Sequence, residues 1–112
     1  MQVNLVQENG VVVVQPTAAV LDASNARAFR DAITPVIDRH ERVVLDMSNI
    51  DFVDSAGVGA MISSLRRAAE RQARFRLCEL RRPVRALFDL MRMHRVFEIH
   101  NGRAEAVQGI AA

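Results

Sequence analysis

Short apolar runs alternate with longer stretches of helical periodicity along this chain, and that alternation constrains the fold more than any other feature. VNLVQENGVVVVQ reads as two strands joined at Asn9-Gly10, a dipeptide suited to a type I′ hairpin turn, where both central residues take positive φ. Leu21-Asp22-Ala23-Ser24 then leads into a helix with Ser24 as its expected N-cap. Along that helix Ala26, Phe29, Ile33 and Ile37 fall on one face, and Pro35 is expected to bend it or to mark an irregular last turn. Val43-Val44-Leu45 is a short apolar strand ending at Asp46. A second helix is expected from about Val58 to Arg71, with Val58, Met61/Ile62, Leu65 and Ala68/Ala69 as its apolar stripe and Arg66, Arg67 and Glu70 toward water. Phe75–Cys78 reads as the next strand, and Pro83 as the first position of a helix running to about Met91. Val96–Ile99 is a last strand, and residues 103–110 form a short helix. A hairpin followed by alternating helix and strand predicts an α/β domain: a mixed sheet of four to five strands, right-handed crossovers, and helices packed against it.

At 112 residues the expected organisation is one domain over residues 1–112. No charged leader with an apolar core is recognisable at the N-terminus, and no apolar run approaches the ~18 residues that span a bilayer. A cytoplasmic protein is therefore expected, with no membrane insertion and any membrane role exercised through a partner. The single Cys78 has no internal disulfide partner, and the thiols or clustered histidines of a zinc site are missing. It reads as a buried small hydrophobe, and Met91 and Met93 near the end of the third helix as filling core gaps or covering its edge. All fifteen basic residues are arginine. The absence of lysine removes Walker-type phosphate loops and Schiff-base chemistry. Residues 1–56 carry four arginines against eight acids, a net of −4, whereas residues 57–112 carry eleven against five, a net of +6. A basic half attracts phosphate backbones, but five Phe and no Tyr or Trp make a poor stacking platform, so no direct nucleic-acid partner is expected.

The stretch DFVDSAGVGAM, residues 51–61, sets a serine between an aspartate and a glycine-laced apolar run. It lies between a buried strand and a helix, where open α/β sheets place their binding sites. Two readings of Ser55 stay open on local chemistry. Its hydroxyl can cap the free N–H groups of the helix start. Alternatively it accepts a phosphate, which the same N–H groups and the positive end of the helix dipole would accommodate. Gly57 and Gly59 permit close backbone approach. Asp22, Asp54 and the loop Asn49-Ile50-Asp51-Phe52 are expected around Ser55, with Asp22 equally readable as a turn aspartate.

LDMSNIDFVDSAGVGAMISSLRRAA resembles the central motif of the STAS domains, in particular the bacterial anti-sigma factor antagonists, in which a strand ending in Asp precedes an F-x-D-S-x-G turn and an apolar helix. VLDASNARAFRDAI upstream is similar to the family's first-helix segment, and FRLCELRRPVRALFDLMRMHRVFEIH downstream to its strand, helix, L-F-D and final strand. The chain departs from many relatives at Ala19-Val20, where they carry Gly-Glu, and at Ala56, where they carry a second serine. The resemblance implies a partner switch without enzymatic activity or cofactor. It implies that Ser55 is phosphorylated by an anti-sigma factor serine kinase, that the unphosphorylated form binds this kinase and frees the sigma factor, and that a metal-dependent serine phosphatase resets the switch. The partner-binding residues expected on this basis are Asp22, Asp51, Asp54, Ser55, Ala56, Gly57 and Val58.

Rival readings are weaker. His40, His94 and His100 with Ser55 supply the ingredients of a hydrolytic triad, but there is no G-x-S-x-G elbow. A phospho-aspartate receiver centred on Asp46 would use a second acid after the first strand and a lysine, and neither is present. Asp46, Asp51 and Asp54 read as a solvated acidic loop before a Mg²⁺ site. The alternative within the same fold is a STAS subunit regulating a membrane lipid or anion transporter.

Overall fold

The computed structural model describes residues 1–111; Ala112, the last residue of the expected domain, lies outside them. The Asn9-Gly10 hairpin joins β1 (Val3–Glu8) to β2 (Val11–Pro16), and both turn residues have positive φ, 53° and 76°. The element order continues with β3 (Val20–Leu21), α1 (Ala26–Arg39), β4 (Arg42–Asp46), β5 (Phe52–Val53) and α2 (Ser55–Glu70). After these come β6 (Arg74–Cys78), α3 (Arg82–Leu90), a 3-10 turn (Met93–Arg95), β7 (Glu98–His100) and α4 (Arg103–Ala111). Five strands form a mixed sheet in the order β1-β2-β4-β6-β7, antiparallel at β1–β2 and parallel elsewhere.

Residues Val11–Val14 and Val43–Leu45 are buried without alternation because both faces of the sheet are covered. On one face α1, α2 and α3 bury Phe29, Ile33, Ile37, Met61 and Phe88 against Val12, Val14, Val43 and Leu45. On the other, α4 alone seals Val11, Val13, Val44 and Cys78 with Ala106, Val107 and Ile110.

The structure corrects several expected boundaries. Ser24 is not the cap of α1: its backbone N–H donates to the Asp22 carboxylate at 2.9 Å, its hydroxyl donates to the same oxygen, and the N-cap position falls on Asn25. Asn25 instead braces the approach, accepting from Asp22 N–H at 2.9 Å and donating to the Val20 carbonyl at 2.7 Å. Helix α1 runs through Pro35 to Arg39 and closes on an i→i−3 bond from the His40 N–H to the Ile37 carbonyl. Helix α2 starts at Ser55, three residues before the expected Val58. Pro83 occupies the second position of α3, because Arg82 opens it. The last strand starts at Glu98 and excludes Val96 and Phe97, whose N–H groups both turn back to the Met93 carbonyl.

Candidate functional site

A two-residue parallel ladder that the sequence did not reveal builds the site: Val20 pairs with Phe52 and Leu21 with Val53. It brings the approach to α1 and the approach to α2 side by side at the end of the main sheet. Two further backbone bonds lock the pair, Asp51 N–H to the Ala19 carbonyl at 2.7 Å and Asp54 N–H to the Leu21 carbonyl at 3.2 Å. Helix α2 then enters tightly against this ladder. A Cβ on Gly57 would sit 2.3 Å from the Leu21 carbonyl oxygen and 2.9 Å from a Val53 methyl, so the position requires glycine for close approach.

Asp54, not Ser55, is the N-cap of α2. Its Oδ1 accepts from Gly57 N–H at 2.9 Å, while its Oδ2 accepts from Ala23 N–H at 3.3 Å in the neighbouring loop. With Gly57 N–H taken by the cap and Val58 N–H by the Asp54 carbonyl, the free amides of the first turn are those of Ser55 and Ala56. Ser55 is exposed at the first helical position, with its hydroxyl outside the cap. The capping reading of the serine is thereby replaced: the aspartate caps, and the serine stands on the first turn.

Asp22 is a turn aspartate, receiving both the hydroxyl and the N–H of Ser24. The Ser24 hydroxyl, helped by the Ser24 and Asn25 amides, holds its carboxyl below the ordinary 3.8 against a smaller opposing effect of burial, so it is ionised at neutral pH. Asp51 is paired with the Arg81 guanidinium at the start of α3. Beside it Phe52 is 54% exposed and its ladder partner Val20 is 37% exposed, an apolar spot beside the acidic rim.

Of the seven residues expected at the surface, the structure brings Asp22, Asp51, Asp54, Ser55 and Ala56 together on its exposed or half-buried rim. Gly57 and Val58 lie beneath it, buried, and support the helix start; Ile50 in the expected loop is buried as well. Arg81 is an addition that sequence reasoning missed, being one of many arginines until Asp51 is placed beside it. Val20 entered the sequence reading only within the Ala19-Val20 departure from relatives, and the ladder brings it beside Phe52. Asp46, Asp51 and Asp54 do not converge: Asp46 is buried against Arg103 and the Ser48 amide, Asp51 faces Arg81, and Asp54 caps α2.

The STAS domain profile matches residues 2–106 of the chain. A curated relative, described as a candidate anti-sigma factor antagonist BtrV of Bordetella bronchiseptica, is 30% identical over 88 residues, covering 78% of this chain and 76% of its own. Among solved structures, an anti-sigma factor antagonist from Mycobacterium paratuberculosis superimposes with a TM-score of 0.87 at 20% identity, over 99% of this chain and 94% of that one. The Bacillus cell fate determinant SpoIIAA in its phosphorylated form matches with a TM-score of 0.68 at 19% identity, over 97% and 99% of the two chains.

Proposed function

The chain belongs to the STAS domain family, and from that premise we propose that it is a single-domain anti-sigma factor antagonist, over residues 1–112, switched by phosphorylation of Ser55. The observation that carries the proposal is the placement of Ser55. It is exposed on the first turn of α2, beside two free amides, within a rim formed by Asp22, Asp51 and Asp54. The unphosphorylated rim binds a cytoplasmic serine kinase that is also the anti-sigma factor, and so releases the sigma factor. A metal-dependent serine phosphatase restores the binding form. The protein itself acts by binding and needs no cofactor.

The energetics favour a local switch. A phosphate adds about −1.5 to −2 charges at pH 7 to a rim that already holds Asp22 and Asp54. Opposite a partner carboxylate ~6 Å away, at an effective dielectric near 20, the repulsion is about 5 kcal/mol before salt screening. Half of that lowers affinity by nearly two powers of ten. The free amides of Ser55 and Ala56 receive the phosphate without refolding of the domain.

The test is intact mass and phosphosite mapping on protein taken from its host, with half the sample treated with phosphatase. A phosphatase-sensitive phosphate on Ser55 is expected. The Ser55→Ala variant should retain the co-purifying kinase, and Ser55→Asp should bind it about a hundredfold more weakly. An unmodified serine under several growth conditions, with an ATP-binding transporter subunit co-purifying, would replace this reading by the transport-regulating one.

A further inference from the structure

At the opposite end of the sheet order from the hairpin, the outer edge of β7 pairs with no strand among the described residues. A sheet edge of this kind presents unpaired backbone donors and acceptors, which soluble proteins ordinarily cover or blunt. Here it borders a cavity of about 440 Å³ between α3, the 3-10 turn and β7 itself. Val96, Phe97 and Ile99 supply its apolar lining, Arg85 and Arg95 its cationic groups, and His94 lies beside them. None of the seven residues expected at the Ser55 surface lines it.

The charges are unbalanced in one direction. Glu98 is the acidic residue of the lining, and its carboxylate lies 3.8 Å from Arg76. Arg85 donates to the neutral amide oxygen of Asn101 at 3.2 Å. Neither Arg85 nor Arg95 has a carboxylate partner among the described residues. Of the large apolar side chains left exposed by the fold, Leu90 at 81% and Met91 at 37% fall in the segment that leads into the cavity, and Val96 at 42% lines it. Guanidinium groups alone would suit a phosphate backbone equally well. A free strand edge with an apolar lining suits a polypeptide.

We propose that the β7 edge groove is a second binding site that takes an extended acidic segment of a partner protein as an added strand. Backbone groups of the incoming strand pair with those of β7, alternate apolar side chains pack on Val96 and Ile99, and its carboxylates meet Arg85 and Arg95. The site lets the domain hold one partner at its edge while the Ser55 surface engages another.

A fluorescein-labelled octapeptide of alternating glutamate and valine tests the site on the full chain. Fluorescence anisotropy should show saturable binding that weakens with salt, and amide resonances of Glu98–His100 should shift on titration. Reversing Arg85 and Arg95 together to Glu should lower the affinity at least about tenfold, with a melting curve confirming that the variant is folded. The proposal is overturned by absence of binding at millimolar peptide, by shifts that map to the β1 edge instead, or by equal binding of the charge-reversed pair. It is also overturned if a lysine–valine octapeptide or an oligothymidine binds the β7 groove as tightly.

Discussion

The two oxygens of Asp54 face different segments: one accepts from Gly57 on α2, the other from Ala23 on the loop before α1. A single carboxylate therefore sets the start of one helix and its distance from the other. Replacing it with alanine should cost about 1 kcal/mol of stability, the usual loss for an N-cap, read as a lower urea midpoint. Asp54→Asn, which keeps an acceptor oxygen at the same reach, should recover most of that loss. A full loss in the asparagine variant would mean that charge, not capping geometry, is what α2 requires. Ser55 gains its exposure from this division of labour. In sequence the two residues are adjacent polar groups before a glycine-rich run, and nothing local says which of them caps. The geometry decides it: the aspartate takes the extended cap backbone, φ −102° and ψ −175°, and the serine becomes the first residue of the helix.

At the scale of elements, α2 ends as tightly as it begins. Gln72 N–H bonds the Ala69 carbonyl and Ala73 N–H bonds the Ala68 carbonyl, a Schellman closure in which Gln72 must take φ 59°. Glycine holds that position in most such closures because a Cβ is strained there. Gln72→Gly should therefore raise stability by about 0.5–1 kcal/mol, seen as a higher urea midpoint with unchanged slope. A lower midpoint would show that the glutamine side chain makes contacts outweighing the strain. The elements legible in the sequence are those whose pattern is long enough to have a period. The hairpin announces itself through Asn9-Gly10, α1 through Ala26, Phe29, Ile33 and Ile37, β4 through the unbroken apolar run Val43-Val44-Leu45, and β6 through Phe75-Arg76-Leu77-Cys78. What escaped detection is short or masked. Two-residue strands such as β3 and β5 have no periodicity to read and exist through pairing with each other. The start of α2 looks like a loop because Gly57 and Gly59 are poor helix formers, yet Gly57 is there for its missing side chain. Val96 and Phe97 carry strand-like residue types, but the 3-10 turn captures their amides first.

The whole molecule is unevenly armoured. Three helices protect one face of the sheet and a single nine-residue helix protects the other. Cys78 lies beneath that single helix, fully buried, and burial together with the nearby Asp46 and Glu79 carboxylates pushes its thiol up to about 12. Since the thiolate is the reactive form, labelling by a disulfide reagent at neutral pH should wait for α4 to undock. Ile110→Ala removes a fully buried side chain from that contact, at a cost of about 2 kcal/mol or more, and should speed labelling roughly thirtyfold. An unchanged rate would mean that the thiol is reached by another opening. A different consequence follows from where the hydroxyl of Ser55 stands. Presented on the first turn of an assembled helix, it has no extended flanking peptide to be read letter by letter. Residues 51–61 cut loose from the domain would keep the spelling and lose the shape. Any enzyme that modifies Ser55 must therefore recognise a folded object, and its fidelity rests on the architecture of the whole domain more than on a short consensus around the serine.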